Sequence, residues 1–237
     1  MLKKLLDIDK NDVITVVGAG GKTSLITYLT KQFSSDYKVL LTTTTKIYLP
    51  KSSDYSSVIM LDEKSNTLIN NKGITLCGKY IDKDKKVVGL KFNELDNILE
   101  KFDITFIEGD GSKRKKLKGW KEDEPLVHPK TTKNIGILDI TAYQMDINEK
   151  NIHRLDKFLD ICGECYDKVS LENLKNVVLN KDGLFKNSVG QKILFINKVD
   201  NRYRETLALD LVNLIHEYDN SIKIIYGSLM RNYYMKG

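Results

Sequence analysis

A doubly wound, mainly parallel α/β sheet is the fold class that this chain of 237 residues predicts. Three observations carry it. Short β-branched apolar runs alternate with stretches of helical periodicity, and the runs end in polar or glycine-rich segments. No apolar run approaches the roughly 20 residues that span a bilayer. With 41% hydrophobic residues, a chain of this size can bury roughly 70 to 75% of its unfolded surface. No linker-like stretch breaks it, so residues 1–237 are expected to form one domain.

The elements follow in order. Val13 to Val17 reads as a buried parallel strand ending at Gly18. Leu25, Leu29 and Phe33 recur at four-residue spacing with Ile26 beside them, which makes Thr23 to Phe33 an amphipathic helix. Tyr37 to Leu41 is a second strand, ending in Thr42, Thr43, Thr44 and Thr45. Ile74 to Tyr80 and Lys85 to Leu90 flank a polar turn at Asp82 to Asp84, and residues 58–91 are therefore expected to form a small β-hairpin insertion on the sheet edge.

Asn93 to Lys101 is helical, with Leu95, Ile98 and Leu99 on one face, and Ile104 to Ile107 is a buried strand that stops at Glu108. Ile135 to Ile140 is a further strand, followed by helices around His153 to Ile161 and Leu171 to Val178. Ile193 to Ile196 stops at Asn197, Leu207, Leu211, Leu214 and Ile215 mark a helix, and Ile222 to Tyr226 is the last strand. Ligands belong at the carboxyl ends of such strands.

The chemistry concentrates at three of those ends. Gly18, Ala19, Gly20, Gly21, Lys22, Thr23 and Ser24 stand between a strand and a helix, where a phosphate-binding loop belongs. Small residues let backbone N–H groups curl round an anion, the helix N-terminus adds positive dipole, Lys22 can reach terminal phosphates and Thr23 can hold Mg²⁺. Val16 occupies the place of the first glycine in GxxxxGKT, so the loop resembles the shorter GxxGKT form of Mur ligases. Asn197, Lys198 and Asp200 form NKxD, in which the carboxylate can accept from guanine N1 and its exocyclic amine. Glu108 and Asp110 follow the strand Ile104 to Ile107, where an acid can hold Mg²⁺ or orient water. Glu108-x-x-Gly111 resembles the ExxG element of urease and hydrogenase maturation GTPases.

Charge and cysteines exclude other classes. Lys plus Arg number 38 against 32 Asp plus Glu, a formal +6, which does not make a nucleic-acid binder without a concentrated patch. The run Lys113, Arg114, Lys115, Lys116, Lys118 and Lys121, with Trp120 inside it, is either a solvated face or a loop that captures an anion. Cys77, Cys162 and Cys165 are too few for a disulfide framework, and Cys162-x-x-Cys165 is half of a zinc pattern at most. Met1 to Lys10 is charged too early for a leader, so a cytoplasmic, non-membrane protein is expected.

Glu108, Gly109, Asp110, Gly111 and Ser112, then Leu117 and Lys118, then Glu124, Pro125 and Pro129, resemble the EADGS…LK…EPxxP signature of the YqeC family. Gly18 to Ser24, Thr42 to Lys46, His153 with Arg154, and Asn197 to Asp200 resemble its GAGGKT, TTTK, HR and NKxD elements. Gly109 stands where the family has alanine, and three residues rather than two separate Pro125 from Pro129. The resemblance implies a P-loop NTPase-like accessory protein for selenium-dependent molybdenum hydroxylases, with a client hydroxylase or cofactor-maturation protein as partner. It also implies a molybdopterin-type cofactor in the protein's surroundings.

The resulting expectation is a nucleotide-binding protein that hydrolyses GTP or ATP slowly. Lys22, Glu108 and Asp110 are the catalytic candidates, with Thr23 and one or both acids on Mg²⁺. Gly18 to Ser24, Asn197, Lys198 and Asp200 would hold the nucleotide. Thr43, Thr44, Lys46, Ser112, Lys118 and Arg154 would be switch or cofactor contacts. The same residues also fit a small-molecule kinase, a Mur-like ligase, or a carrier that holds a molybdopterin-type cofactor on the basic loop without turnover.

Overall fold

The computed structural model describes residues 1–62, 72–163 and 167–237. In chain order its elements are α1 (Leu2–Leu5), β1 (Val13–Gly18), α2 (Lys22–Phe33), β2 (Lys38–Thr43), β3 (Lys46–Tyr48), β4 (Ser57–Met60), β5 (Gly73–Gly78), β6 (Lys86–Val88) and α3 (Phe92–Leu99). There follow β7 (Ile104–Glu108), β8 (Leu117–Lys118), β9 (Lys133–Asp139), β10 (Ile152–His153), α4 (Leu155–Cys162), α5 (Leu171–Leu179), β11 (Gln191–Asn197), α6 (Arg202–His216), β12 (Lys223–Ser228) and β13 (Tyr233–Lys236).

Nine of these strands form one sheet in the order β13-β12-β11-β9-β1-β7-β2-β5-β4. Every pairing is parallel except that of β12 with β13. Alternation along β1 sorts its side chains to two faces. Ile14 and Val16 join Leu25, Leu29 and Phe33 of α2, and Val17 joins Phe158, Leu174 and Leu211 of α4, α5 and α6. A third cluster packs Leu95, Ile98 and Leu99 of α3 on Leu40 and Ile107. Leu25 and Leu29 have no exposed surface, and burying each side chain contributes about 1.5 to 3 kcal/mol. Among the described residues no helix is long and apolar enough to cross a membrane.

The expected edge hairpin is corrected in one respect. Gly73–Gly78 is an interior strand, parallel to both β2 and β4, rather than one arm of an appendage. Its Ile74 and Leu76 face one core while Cys77 faces the other, and burial on both faces is the property of a central parallel strand. The turn itself survives. Lys79 N donates to Val88 O at 2.8 Å and Val88 N to Tyr80 O at 2.9 Å, while β6 pairs on its other side with β3. Residues 63–71 of the same stretch lie outside the described residues.

The topology centres on β1, which lies between β7 and β9. The chain goes from β1 through α2 to β2 on one side, while β9, β11 and β12 build outward on the other. Such a reversal leaves a crevice at the carboxyl ends of the strands. Register brings Gly18, Thr43, Glu108, Asp139 and Asn197 to that edge: Thr43 lies opposite Glu108, and Asn197 opposite Asp139.

Candidate functional site

At Gly18, Gly20 and Gly21 the loop leaves no room for a side chain. At Gly20, φ is +95° and an added Cβ would lie 2.3 Å from the Cβ of Asp139, so glycine is required by both backbone and space. Gly21 is the N-cap of α2, and Lys22 and Thr23 open the helix. Ala19 is buried, whereas Thr23 and Ser24 are exposed.

Lys22 is folded inward. Its ammonium donates to Gly18 O at 2.5 Å and lies 3.2 Å from Asp110 Oδ1 and 3.9 Å from Glu108 Oε1. Thr23 Oγ1 donates to Glu108 Oε2 at 2.9 Å. A hydroxyl and a carboxylate oxygen therefore meet at the first turn of α2. Two hard oxygens of this kind suit Mg²⁺, which keeps its other positions for water and phosphate.

Asp110 differs from the expected metal ligand. Its carboxylate accepts from Gly18 N at 3.1 Å, Lys118 Nζ at 2.9 Å and Trp120 Nε1 at 2.8 Å. With Lys22 also beside it, Asp110 is a fully buried hub that ties the loop to the β7–β8 segment across 92 residues. Glu108 and Thr23 are left as the pair whose oxygens can hold a cation. Among the described residues, no group of three or more His, Cys, Asp or Glu side chains could hold a metal ion.

The hub continues outward. Lys118 Nζ also donates to Glu124 Oε2 at 3.1 Å, and Arg154 engages both oxygens of Glu124, with Nη2 at 2.8 Å from Oε1. Lys22, Lys118 and Arg154 thus alternate with Glu108, Asp110 and Glu124 in one charge-balanced chain. Of the expected switch or cofactor contacts, Lys118 is shut away from solvent and Arg154 is held bidentately by Glu124.

The other expected contacts fall in different places. Thr43 Oγ1 donates to Glu108 O at 2.8 Å and Thr44 Oγ1 to Leu126 O at 3.1 Å, so both hydroxyls brace backbone beside the acid. Lys46 instead pairs with Asp82 at 3.2 Å, on the turn between β5 and β6. Ser112 is half-buried at the start of the basic loop. Cys162 ends α4, and Cys165 lies outside the described residues.

Asn197 reaches the glycine loop, donating from Nδ2 to Gly20 O at 3.0 Å. Asp200 accepts from Ser228 Oγ at 2.5 Å and Arg204 Nη1 at 2.8 Å. A carboxylate offers about four lone-pair positions, so two remain after those contacts. Lys198 pairs with Asp139 at 2.5 Å. Two residues absent from the sequence-based site thus belong to it. Asp139 sits in the strand expected to run on to Ile140, where its only signal was an acid closing an apolar run. Ser228 follows the last expected strand by two residues and orients Asp200.

Burial, opposed by Lys22 and Thr23, raises the Glu108 carboxyl above the ordinary range. Burial would also raise Asp110, but Lys22, Lys118 and hydrogen bonds outweigh it and hold that carboxyl low. His153 is pushed down to about 4 by burial and by Arg154, Lys118 and Lys113. Between pH 6.5 and about 4 the unfolded chain therefore takes up a proton that folded His153 refuses, so its contribution to stability falls as pH falls. His153→Asn is expected to flatten that part of the curve, read as urea midpoints across the window. A slope unchanged by the substitution would contradict the assignment.

The family model described as YqeC protein matches residues 14–156. An "Uncharacterized protein YqeC" from Escherichia coli (strain K12) is 30% identical over 219 residues, covering 87% of this chain and 84% of its own length. No solved structure matches the chain. The matched residues 14–156 take in Lys22, Glu108, Asp110, Lys118, Glu124 and Arg154, the whole of the alternating charge chain.

Proposed function

The chain belongs to the YqeC family, and from that premise we propose that it is a P-loop nucleotide-binding protein that hydrolyses GTP or ATP slowly with Mg²⁺. Its role would be that of an accessory factor in the maturation of selenium-dependent molybdenum hydroxylases. The observation that carries the nucleotide reading is the convergence of Lys22, Thr23 and Glu108 under the glycine loop at the N-terminus of α2. The maturation role rests on the family resemblance.

On this reading the loop amides and the α2 N-terminus take the phosphates, and Lys22 leaves Gly18 O to reach the terminal ones. Thr23 and Glu108 would hold Mg²⁺, which would supply positive charge to the phosphates. Glu108 also orients the attacking water. Asn197 keeps the base-binding segment in register with the loop, and Asp200, aimed by Ser228, accepts from guanine.

The test is equilibrium binding of GTP, ATP and their non-hydrolysable analogues with and without Mg²⁺. Magnesium-dependent GTP binding is expected, weakened at least about 100-fold in Asp200→Ala, because a site built to hydrogen-bond a group discriminates strongly when that partner is lost. ATP binding equal to that of GTP would make residues 197–200 a structural turn and leave an ATPase. Absence of binding by either nucleotide would overturn the proposal.

A further inference from the structure

The basic loop after β7 divides into two parts. Lys118 and Trp120 point inward to Asp110. Lys113, Arg114, Lys115 and Lys116 do not: among the described residues, none of these four consecutive cations has a carboxylate within ion-pair distance. Like charges at adjacent positions repel, and an anion joining the four would relieve that repulsion.

The group is also held in place. Lys115 donates to Glu149 O and, at 3.2 Å, to Ile152 O, and Lys116 donates to Thr141 O at 3.3 Å. Arg114 lies 4.1 Å from the ring centroid of half-exposed Tyr48. These anchors stretch the loop across the carboxyl edge of the sheet, from the segment after β2 to those after β9 and before α4. Lys116 lines a small cavity together with Gly18 and Ala19, which places this end of the run beside the glycine loop. Lys113 and Arg114 carry left-handed backbone, φ 50° and 62°, a conformation costing roughly 1 to 2 kcal/mol per residue. Both remain exposed.

We propose that Lys113 to Lys116 form a second anion site next to the glycine loop, which takes the phosphate group of a phosphate monoester. A dianionic phosphate matches several fixed cations, and the planar guanidinium of Arg114 suits its oxygens. The site deepens the nucleotide reading by supplying a place for a second ligand beside the nucleotide, and it rests on that reading for its neighbour only.

Phenyl phosphate is the probe, measured by calorimetry on the wild type, Lys22→Ala and the double variant Lys113→Gln/Arg114→Gln. Binding is expected in the wild type and in Lys22→Ala, weakened at least about tenfold in the double variant and by added salt. The exposed positions of Lys113 and Arg114 allow that variant to fold, and Lys113→Arg, which keeps both charges and Arg114, should bind as the wild type does. Absence of binding by the wild type, or equal binding by the double variant, would overturn the proposal. So would capture of single-stranded RNA without phenyl phosphate binding, which would make the loop a nucleic-acid contact. If phenyl phosphate binds while neither GTP nor ATP does, the second site stands and the nucleotide reading alone fails.

Discussion

Lys22→Ala is expected to weaken nucleotide binding by roughly 30- to 5000-fold, the equivalent of the 2 to 5 kcal/mol lost when one partner of a desolvated charge pair is removed. Lys22 is 4% exposed, and its ammonium stands between two buried acids. In the free protein it neutralises them, and with nucleotide bound it would turn to the phosphates. Its loss therefore acts twice: the phosphates lose their cation, and Glu108 faces the ligand without it, while Asp110 keeps Lys118. Calorimetric titration of the variant with GTP and ATP reads the effect. Wild-type affinity would remove Lys22 from the site.

Two carboxylates only two residues apart are expected to respond with opposite signs. Asp110→Asn should cost about 3 to 5 kcal/mol, because Lys22 and Lys118 keep their buried charges without the carboxylate that compensates them both. An amide NH₂ would also face donors at Gly18 and Trp120. For a chain of this length the melting temperature should fall on the order of 10 °C. Glu108→Gln should leave the ligand-free protein as stable or more stable at neutral pH, since burial already disfavours that charge.

The pH dependence separates the two acids as well. The folded pKa of Asp110 is depressed, so its contribution is present above 3.8 and is lost as pH falls through the folded value. For Glu108 the folded pKa is raised, so its contribution is full below 4.5 and is lost as pH rises through the folded value. Denaturant curves at several pH values should show the Asp110→Asn deficit shrinking in acid and the advantage of Glu108→Gln growing toward neutrality. A deficit under about 1 kcal/mol for Asp110→Asn would mean that the hub does not hold the loop.

Much of the fold was legible because it is local. The apolar runs ending at Gly18, Glu108 and Asn197 became β1, β7 and β11, and the four-residue spacing of Leu25, Leu29 and Phe33 became the buried face of α2. The β4 strand and the antiparallel β13 were not expected. Four and four residues long, they are too short to impose a pattern of their own and exist by adding to an edge already built. Asp139 and Ser228 were missed for a related reason: each matters through a partner on another strand, Lys198 for one and Asp200 for the other.

By itself the sequence determined which chemistry is present: a glycine loop opening a helix with Lys22 and Thr23, acids at a strand end, an NKxD turn and a basic run. These depend on neighbours within one turn or one strand, where covalent geometry sets the spacing. Only the tertiary structure decided how the charges are shared. It gave Glu108 to Thr23 and Asp110 to Gly18, Lys118 and Trp120, closed Arg154 onto Glu124, and among the described residues left Lys113 to Lys116 without an acid. Partner choice among buried ions depends on distances of a few ångströms between residues far apart in the chain, and the packing of β1 between β7 and β9 sets those distances.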